Sequence, residues 1–400
     1  MKALHFGAGN IGKGFIGYLL NKTGYDVCFV DVNLQMVDSF NKNNSYLVEI
    51  LDDTHTVETI SPVTALNSIT QEEDVIDAIV NADLITTSVG VNNLPRIANI
   101  ISKGLLKRAK KDKRKLDIIA NENAINATST LKQEIAQHVT NSEMKEITSF
   151  VGFPNSAIDR LALSKNSEEG EIALVEPFYE WIINKSEMVN LDLPLIENAI
   201  YVEDLKPFIE RKLYIVNMGH ATTAYIGFLA KESTVQSALG NPTIESFVRK
   251  TLNEASQYII QRFNFKSEDM TAFIEKTLKR FKNKNISDDI LRVGRSPIRK
   301  LSYDERLTKP TRELFDLGLP IDHLTMALAA GFLFNNPSDE ESVNLQEYIS
   351  EKGIDKAILH FTKIESKTIR DRIKENYYLF KNENNELISL LNMNEGEVKC

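Results

Sequence analysis

Lys212, Asn217 and His220 stand within nine residues of one another in the stretch RKLYIVNMGHATTAYIG, residues 211–227, among Leu213, Ile215, Val216, Ala221 and Ala224. On an α-helix of ~100° per residue, Asn217 lies about 140° and His220 about 80° around from Lys212. The three then share one broad flank, and the long lysine stem closes the gap. An amine that cycles its proton, an amide that donates to a carbonyl oxygen and an imidazole that holds an alcohol suit reversible alcohol oxidation. Three polar residues on an apolar helix can equally be capped, solvated or internally satisfied. The other end of the chain decides which reading is worth pursuing.

Lys2 to Phe6 reads as a short apolar strand, followed at once by Gly7, Ala8, Gly9, Asn10, Ile11 and Gly12. A helical run from Lys13 to Asn21 comes next, and a second strand, Tyr25 to Val30, ends on Asp31. Strand, glycine loop, helix, strand and acid in this order describe a dinucleotide-binding unit. Gly7 permits the tight turn, Gly9 lets the backbone approach a pyrophosphate, and Gly12 lets helix and strand pack closely. The helix N-terminus faces the phosphates with unpaired N–H groups. Asp31, 19 residues after Gly12, is placed to accept from a ribose 2′-hydroxyl and repels a 2′-phosphate, which favours NAD over NADP. The alternative is a glycine-rich turn that only packs one helix on one strand.

Strands are expected at Tyr46–Leu51, Val57–Ile60, Asp83–Val89, Leu116–Ala120, Ile147–Phe153 and Glu171–Pro177. Helices are expected at Gln71–Val80, Leu94–Lys111 and Glu122–His138. The alternation predicts an α/β fold, an N-terminal Rossmann-type doubly wound parallel sheet whose ligands bind beyond the C-terminal strand ends. Ser88, Val89 and Gly90, with Asn121, Glu122 and Asn123, follow such ends and are candidate cofactor loops, although ordinary loop polarity would look the same. After about residue 195 the pattern turns helical, at Phe208–Lys231, Ile244–Phe263, Ser267–Phe281, Pro320–Leu333 and Leu345–Phe361. The expected division is a nucleotide domain over 1–195, a mostly α-helical substrate domain over 196–383 and a polar tail over 384–400.

Composition narrows the class. A chain of 400 residues, 42% apolar and 26% charged, suits two soluble domains with sizeable cores. A net charge of −9 argues against general affinity for nucleic acid. Two cysteines, Cys28 and Cys400, give no disulfide framework and fit a reducing cytosol. The chain opens directly into a strand and holds no 18-residue apolar span, so neither secretion nor a membrane span is expected. The run Lys103–Lys115 carries eight basic residues without interleaved aromatics and reads as a solvated face rather than an RNA patch. Six dispersed histidines and no HExxH give no zinc site. Tyr-x-x-x-Lys, the signature of a short-chain dehydrogenase, occurs at Tyr348/Lys352 and Tyr377/Lys381, both deep in the predicted second domain. No self-complementary apolar patch is evident, so a monomer is the default expectation and a dimer the alternative.

Two further clusters carry charge. Asp159 and Arg160, in FPNSAIDR beside apolar Ile158, suggest a buried or cleft pair. Arg295, Arg299 and Lys300 in GRSPIRKL, with Arg292 just upstream, suit a phosphate dianion, or form a basic surface turn.

Taken together, KALHFGAGNIGKGFIG, GFPNSAIDR, VEPFYEW, Lys212-x4-Asn217-x2-His220 and RVGRSPIRKL closely resemble the polyol-specific long-chain dehydrogenase family, over nearly the whole length. The resemblance implies a Rossmann domain followed by an α-helical substrate domain. It implies metal-independent, NAD-linked interconversion of mannitol 1-phosphate and fructose 6-phosphate. It further implies that Lys212 is the general acid and base. Asn217 and His220 orient the reacting oxygen, and Asn155, Asp159 and Arg160 lie on the substrate side. The family's signature usually has Val before the Asp-Arg pair and Ile-x-Pro after it; here Ile158 and Leu161-Ala162-Leu163 stand there. A related enzyme on an unphosphorylated polyol or sugar acid, and a non-catalytic NAD-responsive binding protein, are the two rival readings.

Overall fold

The computed structural model describes residues 1–167, 170–382, 388, 389 and 391. The chain forms two compact units, Met1–Phe208 and the residues from Ile209 onward.

The first unit is built on a six-stranded parallel sheet in the order β5-β2-β1-β6-β7-β8. Its strands are β1 (Lys2–Phe6), β2 (Asp26–Asp31), β5 (Val63–Asn67), β6 (Leu84–Thr87), β7 (Leu116–Ala120) and β8 (Val151–Gly152). β7 is buried at every residue and β1 at all but the first, as strands covered on both faces by helices require. The chain runs from β1 to one edge and then returns to place β6 on the other side of β1. That reversal is a topological switch point, where a crevice opens beyond the strand ends.

Helices α1 (Tyr18–Lys22), α2 (Leu34–Asn43), α3 (Glu72–Asn81), α4 (Leu94–Lys111), α5 (Ala127–Ala136) and α6 (Asn141–Ile147) belong to this unit. A π-helical turn, Gly12–Gly17, precedes α1. The basic run on α4 is only partly a solvated face. Lys103 and Lys107 pair with Glu72 and Asp77 of α3, but Arg108 is buried and donates to the carbonyls of Val80 and Ala82 at the end of α3, both at 2.8 Å.

Three expected strands, Tyr46–Leu51, Val57–Ile60 and Glu171–Pro177, lie outside the parallel sheet. β3 (Tyr46–Ile50) and β4 (Val57–Ile60) pair antiparallel in a second, mixed sheet, ordered β10-β11-β3-β4 with β10 (Ala162–Ser167) and β11 (Gly170–Val175). Asp52 explains why: its carboxylate accepts from the N–H groups of Thr54 and Thr56 and closes a hairpin where a crossover was expected. A third sheet, β13-β12-β9, joins β9 (Ser156–Asp159), β12 (Glu180–Asn184) and β13 (Ile200–Val202). β13 keeps the chain in the first unit beyond residue 195.

The second unit is helical. It comprises the end of α7 (Lys206–Arg211), a π turn over Lys212–Asn217, α8 (Met218–Leu229), α9 (Val235–Gly240), α10 (Pro242–Phe263), α11 (Ser267–Phe281), α12 (Ile290–Gly294), α13 (Pro297–Leu301), α14 (Thr308–Asp316), α15 (Asp322–Leu333), α16 (Glu340–Lys352), α17 (Ile354–Thr362) and α18 (Lys367–Asn382). α8 and α15 are mostly buried, and α8 packs against α9, α10, α12 and α15. Each fully buried Leu, Ile or Phe there contributes about 1.5–3 kcal/mol. The single helix expected over Leu345–Phe361 is two, because Gly353 adopts φ +81° between α16 and α17. Tyr348 and Tyr377 lie on α16 and α18 of the helical second unit. The expected tail, Cys400 included, falls almost wholly outside the described residues. Among those residues no helix is long and apolar enough to cross a membrane.

Candidate active site

The glycine loop sits at the switch point, directly beyond β1. Gly7 has φ +95° and donates its N–H to the Val30 carbonyl at 2.9 Å, and a Cβ on it would lie 2.6 Å from the Ser88 carbonyl oxygen. A Cβ on Gly12 would lie 2.0 Å from the Gly7 oxygen and 2.9 Å from His5 Nε2. Gly9, in contrast, is exposed, and a Cβ there would meet nothing within 4 Å. Two glycines are therefore demanded by the fold, whereas the space above the third is open. Lys13 N–H makes a helical bond to the Gly9 carbonyl at 2.9 Å. The N–H groups of Asn10 and Ile11, one turn earlier, are those a helix start leaves without an intrahelical acceptor. A diphosphate fits this cradle.

Asp31 is held in place from both sides. Its Oδ2 accepts from the Ala8 N–H at 2.8 Å and its Oδ1 from the Asn33 N–H at 2.9 Å. Ala8 therefore serves the site by fixing Asp31, and its N–H is not turned toward a phosphate. The carboxylate keeps lone pairs for a ribose hydroxyl.

The loops after β6 and β7 are clasped together by Glu122. Its buried carboxylate accepts from Thr87 Oγ1 at 2.7 Å, Val89 N–H at 3.0 Å and Gly90 N–H at 2.7 Å. The Val89 and Gly90 amides are thus committed within the protein. Asn121 is buried too, accepting at Oδ1 from Ser156 Oγ at 2.8 Å, while Asn123 is exposed. The expected helix from Glu122 starts only at Ala127, because Glu122 bonds backward to the β6 loop and Asn126 is left-handed at φ +55°.

His5, unremarked in the sequence, underlies the same crevice. It bonds Thr86 Oγ1 at 2.7 Å and Ser88 Oγ at 2.9 Å, and burial drives its pKa down to about 3, so the ring is neutral. An alternating strand pattern gives no signal for such a residue.

The residues expected on the substrate side divide. Arg160 is buried, donating from Nε to the Glu176 carbonyl at 3.1 Å and from Nη1 to the Gly14 carbonyl at 2.9 Å. The Phe15, Tyr18 and Tyr179 rings surround it at 5.7, 5.4 and 4.9 Å, and burial lowers its pKa to about 10. It ties the end of β9 to the π turn after the glycine loop. Asn155 likewise bonds Ser129 through both ends of its amide, at 3.1 and 2.8 Å. Asp159 is half-buried, opposite Glu180 in the third sheet.

In the second unit the helical run through Lys212 is not a plain α-helix. Lys212–Asn217 forms a π turn, in which the Met218 N–H reaches the Leu213 carbonyl five residues back. Under i→i+5 bonding, residues five apart stack one above the other as i and i+4 do in an α-helix. Lys212 and Asn217 therefore share one face instead of standing about 140° apart as α-helical spacing predicts. π turns of this kind occur frequently at functional sites. Both residues are half-buried, and among the described residues the Asn217 side-chain amide makes no hydrogen bond. The Asn217 carbonyl accepts from Arg306 Nη1 at 3.4 Å.

His220, one turn on, bonds Asp288 Oδ2 through Nε2 at 2.9 Å and stacks on Phe281, with ring centroids 4.9 Å apart at 17°. Burial lowers the His220 pKa against the raising influence of Asp288. For Asp288 burial acts upward, but the His220 hydrogen bond and the nearby charges outweigh it and hold the carboxyl low. The pair is neutral imidazole and carboxylate. Asp288 and Arg306 are the residues that sequence reading missed; their only signal was charge beside a basic segment.

The basic cluster also divides. Arg295 is exposed and, among the described residues, makes no ion pair. Arg299 is exposed, with Nη1 3.3 Å from Glu305 Oε1. Lys300, in contrast, is 5% exposed and donates to the carbonyls of Val293 and Arg295 at the end of α12. Burial first, then Arg306, Arg299 and Arg295, bring its pKa down to about 7. It caps a helix C-terminus, and its burial sets it apart from the exposed Arg295 and Arg299. Among the described residues no group of three or more His, Cys, Asp and Glu side chains is placed to hold a metal.

Known proteins match most of the chain. Residues 1–197 match the mannitol dehydrogenase Rossmann domain and residues 204–389 the mannitol dehydrogenase C-terminal domain. The chain is 44% identical to a mannitol-1-phosphate 5-dehydrogenase of Bacillus licheniformis, over 88% of this chain and 93% of that one. It is 41% identical to one of Enterococcus faecalis, over 94% and 97%. In fold it is similar to a D-sorbitol dehydrogenase in substrate-free form, at TM-score 0.82 and 14% identity, covering 96% and 94% of the two chains. It is also similar to the mannitol 2-dehydrogenase of Pseudomonas fluorescens in complex with NAD and D-mannitol, at TM-score 0.69 and 16% identity, covering 98% and 94%. The chain belongs to the mannitol dehydrogenase family and is an enzyme, a polyol dehydrogenase.

Proposed function

We propose that this chain interconverts mannitol 1-phosphate and fructose 6-phosphate with NAD, using Lys212 as general acid and base and no metal. The observation that carries the reading is the π turn that stacks Asn217 over Lys212 one turn ahead of the Asp288-held His220. The names of the relatives at 41–44% identity support the substrate. The open glycine cradle and the doubly anchored Asp31 support NAD.

NAD, when bound, would supply the hydride acceptor in oxidation and, reduced, the hydride donor in reduction. Neutral Lys212 receives the hydroxyl proton at Nζ as the carbonyl forms, and its ammonium gives the proton back to the forming alkoxide in reduction. The Asn217 amide donates to the same oxygen as charge gathers on it. His220 binds a neighbouring hydroxyl. Arg295, with no carboxylate partner among the described residues, is the side chain best suited to a phosphate dianion, with Arg299 beside it.

The test is NADH oxidation on fructose 6-phosphate, compared with fructose and with NADPH. Turnover confined to the NADH and fructose 6-phosphate pair is expected. Arg295→Glu should raise KM for fructose 6-phosphate far more than for NADH; an unchanged KM removes the phosphate assignment. Equal rates on free fructose would favour an unphosphorylated polyol.

A further inference from the structure

We propose that Asp288 is a positioning residue for the reaction: its carboxylate fixes the His220 ring with Nε2 protonated and leaves Nδ1 as the lone-pair acceptor for a hydroxyl of the polyol. The proposal rests on the reading of His220 given above.

The geometry leaves the ring little freedom. Ionised Asp288 accepts only, so the 2.9 Å contact makes Nε2 the donor. A neutral imidazole then carries its lone pair on Nδ1, which has no hydrogen-bond partner among the described residues. Phe281 covers one face of the ring.

Asp288 is itself pinned on every side. Its Oδ1 accepts from the Arg292 guanidinium, its N–H donates to Gln236 Oε1 at 3.1 Å, and its carbonyl accepts from the Val235 N–H at 2.9 Å. The next residue but one, Ile290, donates to the Ser233 carbonyl at 3.0 Å. Asp289 caps α12, accepting from the Arg292 N–H at 2.8 Å. A segment tied at three points to the start of α9, and by Arg292 to α12, thus delivers one carboxylate oxygen to one ring nitrogen. The charged groups acting on the ring are Asp288, Arg280 at the end of α11 and Arg292 on α12. Both arginines favour the neutral ring, and Arg292 in addition holds the carboxylate.

The experiment uses the full chain with Asp288→Asn, Asp288→Glu and His220→Asn. It reads kcat and KM for fructose 6-phosphate, NADH affinity by fluorescence, and the tautomer of each ring from 1H–15N histidine spectra. His220 is identified among the six histidines as the ring missing in His220→Asn. The wild-type ring is expected as the Nε2–H tautomer. Asp288→Asn, whose amide can donate to Nε2, is expected to shift His220 toward Nδ1–H. It should lower kcat/KM by roughly ten- to a hundredfold, with NADH affinity unchanged and partial rescue in Asp288→Glu. An Nδ1–H ring in the wild type overturns the proposal even if Asp288→Asn does not fold. So does a normal kcat/KM in Asp288→Asn while His220→Asn is impaired. If His220→Asn itself turns over normally, the assignment of His220 to the active site fails first, and the proposal falls with it.

Discussion

Lys212 and Asn217 are the first and last residues of one π turn, and that turn puts the amine and the amide on the same face of the helix. The amide has no partner among the described residues, which leaves it available to an oxygen poised over the lysine. Asn217→Ala should therefore cost kcat about 10²–10³, with little change in NADH affinity. Asn217→Asp, which exchanges the donor for an acceptor, should be as poor or poorer. Steady-state kinetics on both variants decides; a normal kcat in Asn217→Ala would remove the amide from the chemistry.

The glycine loop allows a sharper contrast between two substitutions of the same size. Gly9→Ala should fold with the melting temperature of the parent, since its Cβ meets nothing within 4 Å, yet bind NADH weakly because the methyl enters the open cradle. Gly12→Ala places its Cβ 2.0 Å from the Gly7 carbonyl oxygen, so it should lose stability as well as cofactor binding. Thermal melts and NADH titrations separate the two. Equal melting temperatures for both variants would contradict the packing described for the loop.

Lys300 makes a prediction in pH. Its pKa is lowered in the folded chain from 10.5 to about 7, so between those values the unfolded chain binds more protons than the folded one. Stability from this group is fully present above about pH 10.5 and is lost as pH falls through 7. Lys300→Met should flatten the rise of melting temperature with pH between about 7 and 10, while raising KM for fructose 6-phosphate less than Arg295→Glu does. An unchanged pH slope in Lys300→Met would mean that the lysine is not neutralised by burial.

Much of this is legible in the sequence alone. Strand, glycine loop, helix and acid at the N-terminus leave local signatures, because each glycine answers a local backbone demand. β1, β7 and α4 fall at the expected residues for the same reason. The hairpin β3–β4 was misplaced because Asp52 alone turns a crossover into a reversal, and a single side chain leaves no periodic trace. The burial of Arg160 and Lys300 is not legible, because charge in sequence does not reveal burial; the rings around Arg160 come from Phe15 and Tyr18 on one helical stretch and from Tyr179. Asp288 was invisible as a partner of His220 because 68 residues separate the two. The π turn was hidden as well, since an apolar helical stretch reads alike under four-residue or five-residue bonding.

The central claim is that Lys212 moves the proton, and Lys212→Ala tests it most directly when kcat on fructose 6-phosphate and NADH affinity are measured side by side. The expected result is a kcat lower by at least about 10²–10⁴, with NADH bound as in the parent and the melting temperature preserved. Full turnover in Lys212→Ala would contradict the account and move the active site away from the π turn.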